Sequence, residues 1–383
     1  MSDGAASSLP EAERLARLRL ARTPRVGPIT FHRLLERFGS AEMAVESLPG
    51  LARRAGAPPV VVPSATAVQR ERDALRRLGG CLLVYGDPAY PAALRGLEDA
   101  PPVLACRGDL SLLQRDAVAI VGARNASANG CLLAENFARA LGAAGFPVVS
   151  GLARGIDGAA HRGAMETGTV AVMAGGLDRI YPREHEGLAQ EVAEKGVLIA
   201  EMSLGTEPQA ALFPRRNRVV SGLSRGTVVI EAALRSGSLI TARFALEQGR
   251  EVMAVPGSPL DPRARGCNRL IKEGAHLVEE AADLLDLLGA PGPSVPRAPL
   301  RTLTRGVPPP SPEPVREPAE APVTAVEQIL ALLSPEAQSV DEVIRRCQLS
   351  AAVVGQILLE LELAGRVERH PGNRISLLAA NSQ

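Results

Sequence analysis

The stretch AVAIVGARNASANG, at Ala117–Gly130, carries the pattern that decides the fold. It opens with the apolar run AVAIV, turns at a glycine, and leads through small polar residues into the helical segment CLLAENFARALGAAG. Because the run is apolar without alternation, both faces of the predicted strand are covered. Because a helix follows at once, the strand belongs to a strand–helix unit of a parallel sheet.

The same strand–turn–helix pattern recurs along the chain. Two short apolar runs, CLLVYG and PVLACRG, precede the first copy. The series predicts an α/β fold, a Rossmann-like doubly wound and mostly parallel sheet within residues 79–289. The further copies carry the runs FPVVSGLARG, TVAVMAGGLD, GVLIAEMS, TVVIEAALRSG and EVMAVPGS.

The segments that flank this domain predict a helical domain and a linker. Residues 1–78 carry helical segments around the glycine turn PRVGPI. They fit either a small helical bundle or a SAM-like/helix-hairpin-helix domain that presents backbone N–H groups to a phosphate. Residues 290–323 are rich in proline and polar residues, which predicts an extended linker.

Residues 324–380 predict a C-terminal winged-helix domain, because helical segments with the candidate N-caps Ser339 and Ser350 precede a hairpin. We expect its recognition helix to present Gln356, Glu360 and Glu362 to solvent. That helix has no basic residue, which favours a protein-contact role over sequence-specific DNA recognition. A transcriptional DNA-reading role is the weaker alternative. The hairpin could still make weak phosphate contacts through Arg366, Arg369, His370 and Arg374.

Composition narrows the possible classes of protein. A net charge of +1 and 2% aromatic residues argue against a generally basic nucleic-acid binder and against a broad base-stacking platform, but a local basic patch is compatible with them. The scattered cysteines, with no CxxC pair, predict free thiols in a reducing cytoplasm and no metal site. We expect a cytosolic, soluble protein without a membrane segment and without a cofactor.

The strand ends predict one anion-binding crevice. Ligands of open parallel sheets bind outside the carboxyl ends of the strands. Glycines and helix N-termini at these ends allow backbone N–H groups to approach an anion closely. The candidates from these loops are Gly122, Arg124, Ser150, Gly151, Arg154, Gly237, Ser238 and Thr241.

A second, basic stretch precedes one of the strands. In LFPRRNRVVSGLSRG, Phe213 stands before Arg216, Asn217 and Arg218. An aromatic ring beside guanidinium groups suits single-stranded nucleic acid, whose bases stack and whose phosphates pair with cations. The alternative is a solvated basic helix face with Phe213 in the core.

The residues argue against catalysis. Ser150, Asp157 and His161 fit a catalytic triad poorly, because the serine lacks the context of a nucleophile elbow. No Walker lysine and no dinucleotide fingerprint are present. A Rossmann-type nucleotide hydrolase of the lysine-decarboxylase-like type remains the enzyme alternative, although RSGSLITARFALE lacks the GGxGTxxE loop of those enzymes.

Successive blocks of the chain resemble the DNA-processing protein A (DprA/Smf) family. The similarity covers nearly the whole chain outside the linker. It has three departures: Gly175 stands where many relatives have a Cys, His185 stands where an Asn is common, and Ala210–Leu212 replace the basic or polar residues that often precede the Phe. The blocks are AIVGARNASANG, VVSGLARGIDGAAHRGAM, GGLDRIYPREH, the stretch from FPRRNR to AVPG, and GCNRLIKEGAHLV.

The resemblance implies a non-enzymatic role. Family members bind incoming single-stranded DNA, protect it, load the recombinase RecA onto it during natural transformation, and self-associate as homodimers through the Rossmann-like domain. Arg124 occupies the arginine position of the family's glycine loop. Phe213, Arg216 and Asn217 fall in its F-P-x-R-N-R block, and Gly237 and Ser238 fall in its S-G-S block.

Overall fold

The computed structural model describes residues 9–54, 59–296, 323–347 and 349–378. The chain forms two compact units. Of the described residues, those from 69 to 296 form the first, here called the crevice unit, and those from 10 to 68 and from 323 to 378 form the second, here called the terminal unit.

A twisted sheet is the centre of the crevice unit. Across the sheet the strands follow the order β1-β2-β6-β5-β4-β3-β7-β8-β9. All neighbours from β6 to β9 are parallel, whereas β2 pairs antiparallel with both β1 and β6. The strands are β1 (Cys81–Val84), β2 (Val103–Gly108), β3 (Ala117–Gly122), β4 (Val148–Ser150), β5 (Thr169–Met173), β6 (Val197–Ala200), β7 (Ser224–Ile230), β8 (Glu251–Ala254) and β9 (His276–Leu277).

The strand order reverses beside β3. The chain runs outward from β3 through β4 and β5 to β6, then returns to place β7 on the other side of β3. Gly122 ends β3 at this point, and a Cβ atom there would lie 1.9 Å from the carbonyl oxygen of Ile230 in β7. A glycine is therefore required for the two strands to approach where the winding changes direction. Ligands of doubly wound sheets bind at such a switch point.

Helices cover both faces of this sheet. Val118, Ile120 and Val228 face one hydrophobic cluster, whereas Ala119, Val121 and Val229 face the other. This two-sided burial confirms the predicted doubly wound, mostly parallel α/β fold. The helices of the crevice unit are α5 (Ala92–Arg95), α6 (Ala128–Ala143), α7 (Ile156–Gly163), α8 (Glu186–Lys195), α9 (Leu212–Gly222), α10 (Gly237–Glu247), α11 (Arg265–Lys272) and α12 (Ala281–Leu288).

The terminal unit combines helices from both ends of the chain. Its small antiparallel sheet has the order β10-β12-β11, which with three helices confirms the predicted winged helix. The N-terminal helices are α1 (Glu11–Ala21), α2 (Pro28–Phe38) and α3 (Ala41–Arg54), and α4 (Ala65–Arg77) runs on into the crevice unit. The C-terminal elements are α13 (Val323–Leu332), β10 (Gln338–Ser339), α14 (Val340–Cys347), α15 (Ala351–Leu363), β11 (Val367–His370) and β12 (Arg374–Leu377).

Of the two N-caps predicted for the C-terminal domain, Ser339 and Ser350, the structure shows a cap hydrogen bond at Ser350. The Ser350 hydroxyl accepts a hydrogen bond from the Val353 backbone N–H and caps α15, as expected. Ser339 instead belongs to β10.

Two of the three α15 residues that were expected to face solvent, Glu360 and Glu362, are instead buried, whereas Gln356 is partly exposed. Glu360 is 8% exposed and the Glu362 side chain is 11% exposed. The Thr30 hydroxyl donates to Glu362 over 2.6 Å, and the Arg25 guanidinium donates to the Leu363 carbonyl over 2.9 Å. The C-terminal half of α15 is therefore packed against the N-terminal helices.

Arg369, which was expected on the surface of the hairpin, is buried beside the same contact. The Arg369 side chain is 2% exposed, and its Nε lies 3.4 Å from a Glu362 carboxylate oxygen. Burial raises the pKa of Glu362, while Thr30 and Arg369 act in the opposite direction. Arg369 therefore lies in the interior of the terminal unit, beside Glu362, instead of facing a phosphate.

The predicted linker begins later than residue 290. The Gly292 carbonyl accepts a hydrogen bond from the Asp116 backbone N–H, and the Ser294 hydroxyl accepts one from the Ala93 backbone N–H. Pro293 forms an isolated bridge with Arg115. Residues 290–296 are thus part of the crevice unit, and most of the remaining predicted linker lies outside the described residues.

Candidate functional site

An open crevice of about 900 Å³ lies at the carboxyl ends of β3 and β7. Its position matches the switch point of the sheet. Eight of the residues predicted to bind DNA line it, namely Gly122, Arg124, Phe213, Arg216, Asn217, Gly237, Ser238 and Thr241. Four other lining residues matter below, namely Asp157, Tyr181, Arg235 and Arg263.

One wall of the crevice is aromatic and cationic. The Arg124 guanidinium carbon lies 4.8 Å from the centroid of the Phe213 ring. The Tyr181 ring meets Phe213 with their centroids 5.7 Å apart and their planes at 66°. Phe213 belongs to the first turn of α9 instead of preceding the helix, and it is partly exposed. This wall offers a cation for a phosphate and aromatic surface for a base.

Arg216 and Asp157 form a buried pair at the bottom of the crevice. Their side chains are 7% and 8% exposed, and Nη1 of Arg216 lies 3.9 Å from Oδ2 of Asp157. This separation is at the limit of an ion pair, and Nε of Arg216 has no hydrogen-bond partner within the described residues. A buried guanidinium with an unused donor is costly unless a ligand completes it.

The pKa values of this pair agree with that conclusion. Burial raises the pKa of Asp157, although Arg216 and two backbone N–H groups act to lower it. Burial likewise lowers the pKa of Arg216, and Asp157 offsets this only in part. Each group is shifted toward its neutral form, so the attraction between them does not repay their removal from water.

The loop at Ser150–Gly155 differs from the expected backbone anion cradle. Asp157 accepts hydrogen bonds from the N–H groups of Gly151 and Ala153 over 3.1 and 3.4 Å. Nε2 of His161 accepts from the N–H of Leu152 over 3.3 Å. These three amides are satisfied inside the protein. The loop therefore shapes the bottom of the crevice instead of supplying its donors.

The predicted side chains of this loop also lie outside the crevice lining. Ser150 is fully buried, and its hydroxyl donates to the Ile120 carbonyl over 2.6 Å. Gly151 packs under Arg216, because a Cβ there would lie 1.4 Å from Nη1 of that arginine. The exposed Arg154 pairs with Glu184 over 2.6 Å. Of these residues, Gly151 acts on the crevice through the arginine above it.

His161 has a structural environment. It is fully buried, its Nδ1 lies 2.7 Å from the Thr169 hydroxyl, and burial lowers its pKa to about 3. A histidine with this pKa is neutral near pH 7. Ser150 and His161 thus have separate partners and do not form a proton relay.

Arg218 is also committed to the interior. It is 6% exposed, and its Nη2 donates to both carboxylate oxygens of Glu201 over 2.6 and 2.7 Å. Its Nη1 donates to the Asp99 carbonyl over 2.6 Å. Arg218 does not line the crevice, and its donors hold two other segments of the crevice unit together.

A second wall of the crevice comes from the start of α10. Ser236 caps this helix by accepting from the Ser238 N–H, and Asn217 donates to the Gly237 carbonyl over 3.2 Å. The Ser238 hydroxyl lies 2.7 Å from that of Ser236. This wall is polar and is fixed to α9.

Two arginines on this side were missed by the sequence reasoning. Arg235 is exposed directly before the serine cap of α10, and Arg263 lies in the loop after β8, where it pairs with Asp261 over 2.9 Å. The available signal was their place after the carboxyl ends of β7 and β8, which is where ligands of this fold bind. Arg235 adds positive charge to this part of the lining, whereas Asp261 offsets the charge of Arg263.

The described residues contain neither a metal-binding cluster nor a membrane-spanning helix. No group of His, Cys, Asp or Glu side chains there could hold a metal ion. No helix in that part of the chain has the length and apolar character needed to cross a bilayer.

Comparison with known families covers most of the chain. A family model described as DNA recombination-mediator protein A matches residues 81–289. A model described as a DprA-like N-terminal HHH domain matches residues 11–74, and one described as the DprA winged helix domain matches residues 308–373. The three matches follow the order of the helical, Rossmann-like and winged-helix domains.

Individual relatives agree with the family models. The chain is 41% identical over 294 residues to protein Smf of Escherichia coli strain K12, with 76% of each chain covered. The structure resembles that of DNA processing protein A from Streptococcus pneumoniae, with a TM-score of 0.59, 32% identity, and coverage of 73% of this chain and 98% of the other. It also resembles DNA processing protein A from Helicobacter pylori, whose published description concerns its single-stranded DNA binding mode. There the TM-score is 0.51, the identity 30%, and the coverage 55% of this chain and 95% of the other.

Proposed function

Because the chain belongs to the DNA recombination-mediator protein A family, we propose that its crevice binds single-stranded DNA. Phosphates pair with Arg124 and Arg216, and bases contact the aromatic wall that contains Phe213. The observation that carries the proposal is the lining of the crevice, where Arg124 lies over the Phe213 ring and Arg216 belongs to the same cavity. Phosphate oxygens offer these guanidinium groups acceptors and a negative charge.

Several features favour a single strand over a duplex. The crevice is bounded by two walls, and aromatic surface lies beside its cations. A base can reach this surface only when it is unstacked from its neighbours, which a duplex does not allow without base flipping. Recognition through phosphates and ring faces depends little on sequence.

The finer role that we propose follows from the family. The protein holds incoming single-stranded DNA in the cytoplasm during natural transformation, protects it, and loads RecA onto it as a homodimer. In this proposal the protein is not an enzyme. The nucleotide-hydrolase alternative is less favoured, because the carboxylate of Asp157 in the crevice already accepts two backbone hydrogen bonds and faces Arg216.

We propose a protein-contact role for the winged helix. Part of its recognition helix α15 is already in contact with Thr30 and Arg25 of the same chain. The contact covers the C-terminal half of α15, whereas recognition helices contact base edges through their N-terminal residues. No residue of α15 is basic, which argues against the transcriptional DNA-reading alternative.

The test is a titration of a fluorescent oligonucleotide by anisotropy with the wild type, Arg124→Ala and Arg162→Ala. Arg162 is a matched control, because it is an exposed arginine at the far end of α7 and pairs with Glu135. We expect Arg124→Ala to weaken binding at least about tenfold, since a charge-assisted phosphate contact contributes about 1.5–3 kcal/mol. The control should bind as the wild type does.

Three results would contradict the proposal. They are undiminished binding by Arg124→Ala, an equal loss in the Arg162→Ala control, and equal affinity of the wild type for duplex and single strands. Release of free base or ribose phosphate from nucleotides by the pure protein would instead support the hydrolase. RecA loading is tested separately, by whether added RecA forms a ternary complex with the bound strand.

A further inference from the structure

We infer that Tyr181 is a second base-stacking side chain of the crevice, so that this site recognises bases as well as phosphates. The inference rests on the proposed function, because it names the part of the DNA strand that the aromatic wall contacts. Tyr181 belongs to the loop after β5 and lines the crevice beside Phe213.

The exposure of Tyr181 is the first observation. Its relative exposure is 47%, and it is the only aromatic residue among the exposed large hydrophobic side chains of the described chain. Tyr85 and Tyr90 pack against each other, and Tyr90 is fully buried. In a chain with 2% aromatic residues and no tryptophan, an exposed ring at the crevice is unlike the other aromatics. Exposed apolar surface in a concave site is typical of ligand contact.

The arrangement of the rings is the second observation. Phe213 already has two partners, since Arg124 lies over its ring and Tyr181 meets it edge to face. Tyr181 has a ring contact with Phe213 on one side and is nearly half exposed. Tyr181 is therefore the more accessible of the two rings. A base that stacks on it adds to an aromatic row that ends at the Arg124 cation.

The neighbouring charges define the class of ligand. The guanidinium groups of Arg124 and Arg216 can bind phosphates, but a simple anion has no flat apolar face that could stack on the adjoining aromatic rings. A strand that alternates phosphates with flat bases matches both features at once. The crevice should therefore distinguish a base-bearing strand from a polyanion of the same charge that lacks bases.

The experiment compares a base-bearing oligonucleotide with one of equal length that carries abasic positions. Its variants are Tyr181→Phe, which keeps a ring, and Tyr181→Leu, which keeps apolar packing on Phe213 but has no aromatic face. We expect Tyr181→Leu to bind the base-bearing strand about 5- to 30-fold more weakly and the abasic strand unchanged. Tyr181→Phe should stay within about twofold of the wild type on both strands.

A second readout reports the contact directly. The chain contains no tryptophan, so Tyr181→Trp introduces a unique fluorophore at the crevice. Base-bearing oligonucleotide should quench this emission, and the abasic strand should quench it much less. Full retention of affinity by Tyr181→Leu, or equal quenching by the two strands, would overturn the assignment of Tyr181.

The two proposals fail in different ways. If the crevice does not bind single-stranded DNA, Arg124→Ala binds both oligonucleotides as the wild type does. If only the assignment of Tyr181 is wrong, Arg124→Ala weakens binding to both strands, while Tyr181→Leu distinguishes base-bearing from abasic DNA as well as the wild type does.

Discussion

Two arginines of one helix, Arg216 and Arg218, differ in what surrounds them. Both belong to α9 and both are buried, at 7% and 6% exposure. Arg218 has a carboxylate at 2.6 Å, whereas the carboxylate nearest to Arg216 lies at 3.9 Å. Burial lowers the pKa of Arg218, but Glu201 and Asp99 outweigh it and the pKa is raised. The pKa of Arg216 is lowered by burial despite Asp157.

Helix geometry explains how near neighbours come to such different surroundings. Residues two apart on an α-helix point to different sides, so one side chain faces the crevice and the other faces the interior of the crevice unit. Arg218 there meets acceptors from two segments, at Asp99 and Glu201. The comparison teaches that burial alone does not identify a binding residue. The informative property is whether the protein itself satisfies the buried donors.

The largest effect that we expect is on stability, in Arg218→Met. The change leaves the Glu201 carboxylate, 11% exposed, without its bidentate partner. Removal of one member of a buried pair typically lowers the free energy of unfolding by about 3–5 kcal/mol. Urea denaturation followed by circular dichroism measures this loss. A loss below about 1 kcal/mol would show that the contrast between the two arginines is not energetic.

The matched change, Arg216→Met, should have its main effect on binding. Because Arg216 lies 3.9 Å from Asp157 and pairs with it only weakly, we expect the free energy of unfolding to change by about 1 kcal/mol or less. Oligonucleotide affinity should fall about tenfold, and the slope of log affinity against log salt should lose about one unit. Anisotropy titrations at several salt concentrations test this. Equal losses of stability in Arg216→Met and Arg218→Met would show that the two arginines do not differ in their contribution to folding.

The smallest effect that we expect is the contribution of Asp157 to the pH dependence of stability. Because its pKa is raised in the folded protein, the folded state binds the carboxyl proton more tightly than the unfolded chain does. The stabilisation from this group is therefore complete below its ordinary pKa of 3.8 and is lost as the pH rises through the raised folded value.

Asp157→Asn removes this dependence. At pH 7 the variant should be more stable than the wild type, and the difference should vanish as the pH falls below the ordinary pKa of the carboxyl, 3.8. Urea midpoints measured at both pH values test the sign. A variant that is less stable at pH 7 would mean that the pair with Arg216 outweighs its desolvation.

Much of the fold and the place of the site were predictable because the signals are local. The apolar run Ala117–Val121 and the glycine after it predict a buried strand and its turn, and Gly122 indeed lies where β3 meets β7. Strand–helix alternation fixes a parallel sheet, whose carboxyl ends must share one edge. The crevice therefore followed from the pattern, together with Arg124 and Phe213 on one of its walls.

The strands, the winding of the sheet and the edge at which a ligand binds could thus be read from the amino acids, because apolar periodicity and turn chemistry act over a few residues. Which polar groups remain available depends instead on contacts between distant parts of the chain. Arg218 meets Asp99 from another part of the chain, and Glu362 meets Thr30 from the opposite end. The hydrogen-bond partners of a buried group can be far away in the sequence, because the fold brings them together, so a local sequence pattern cannot predict them.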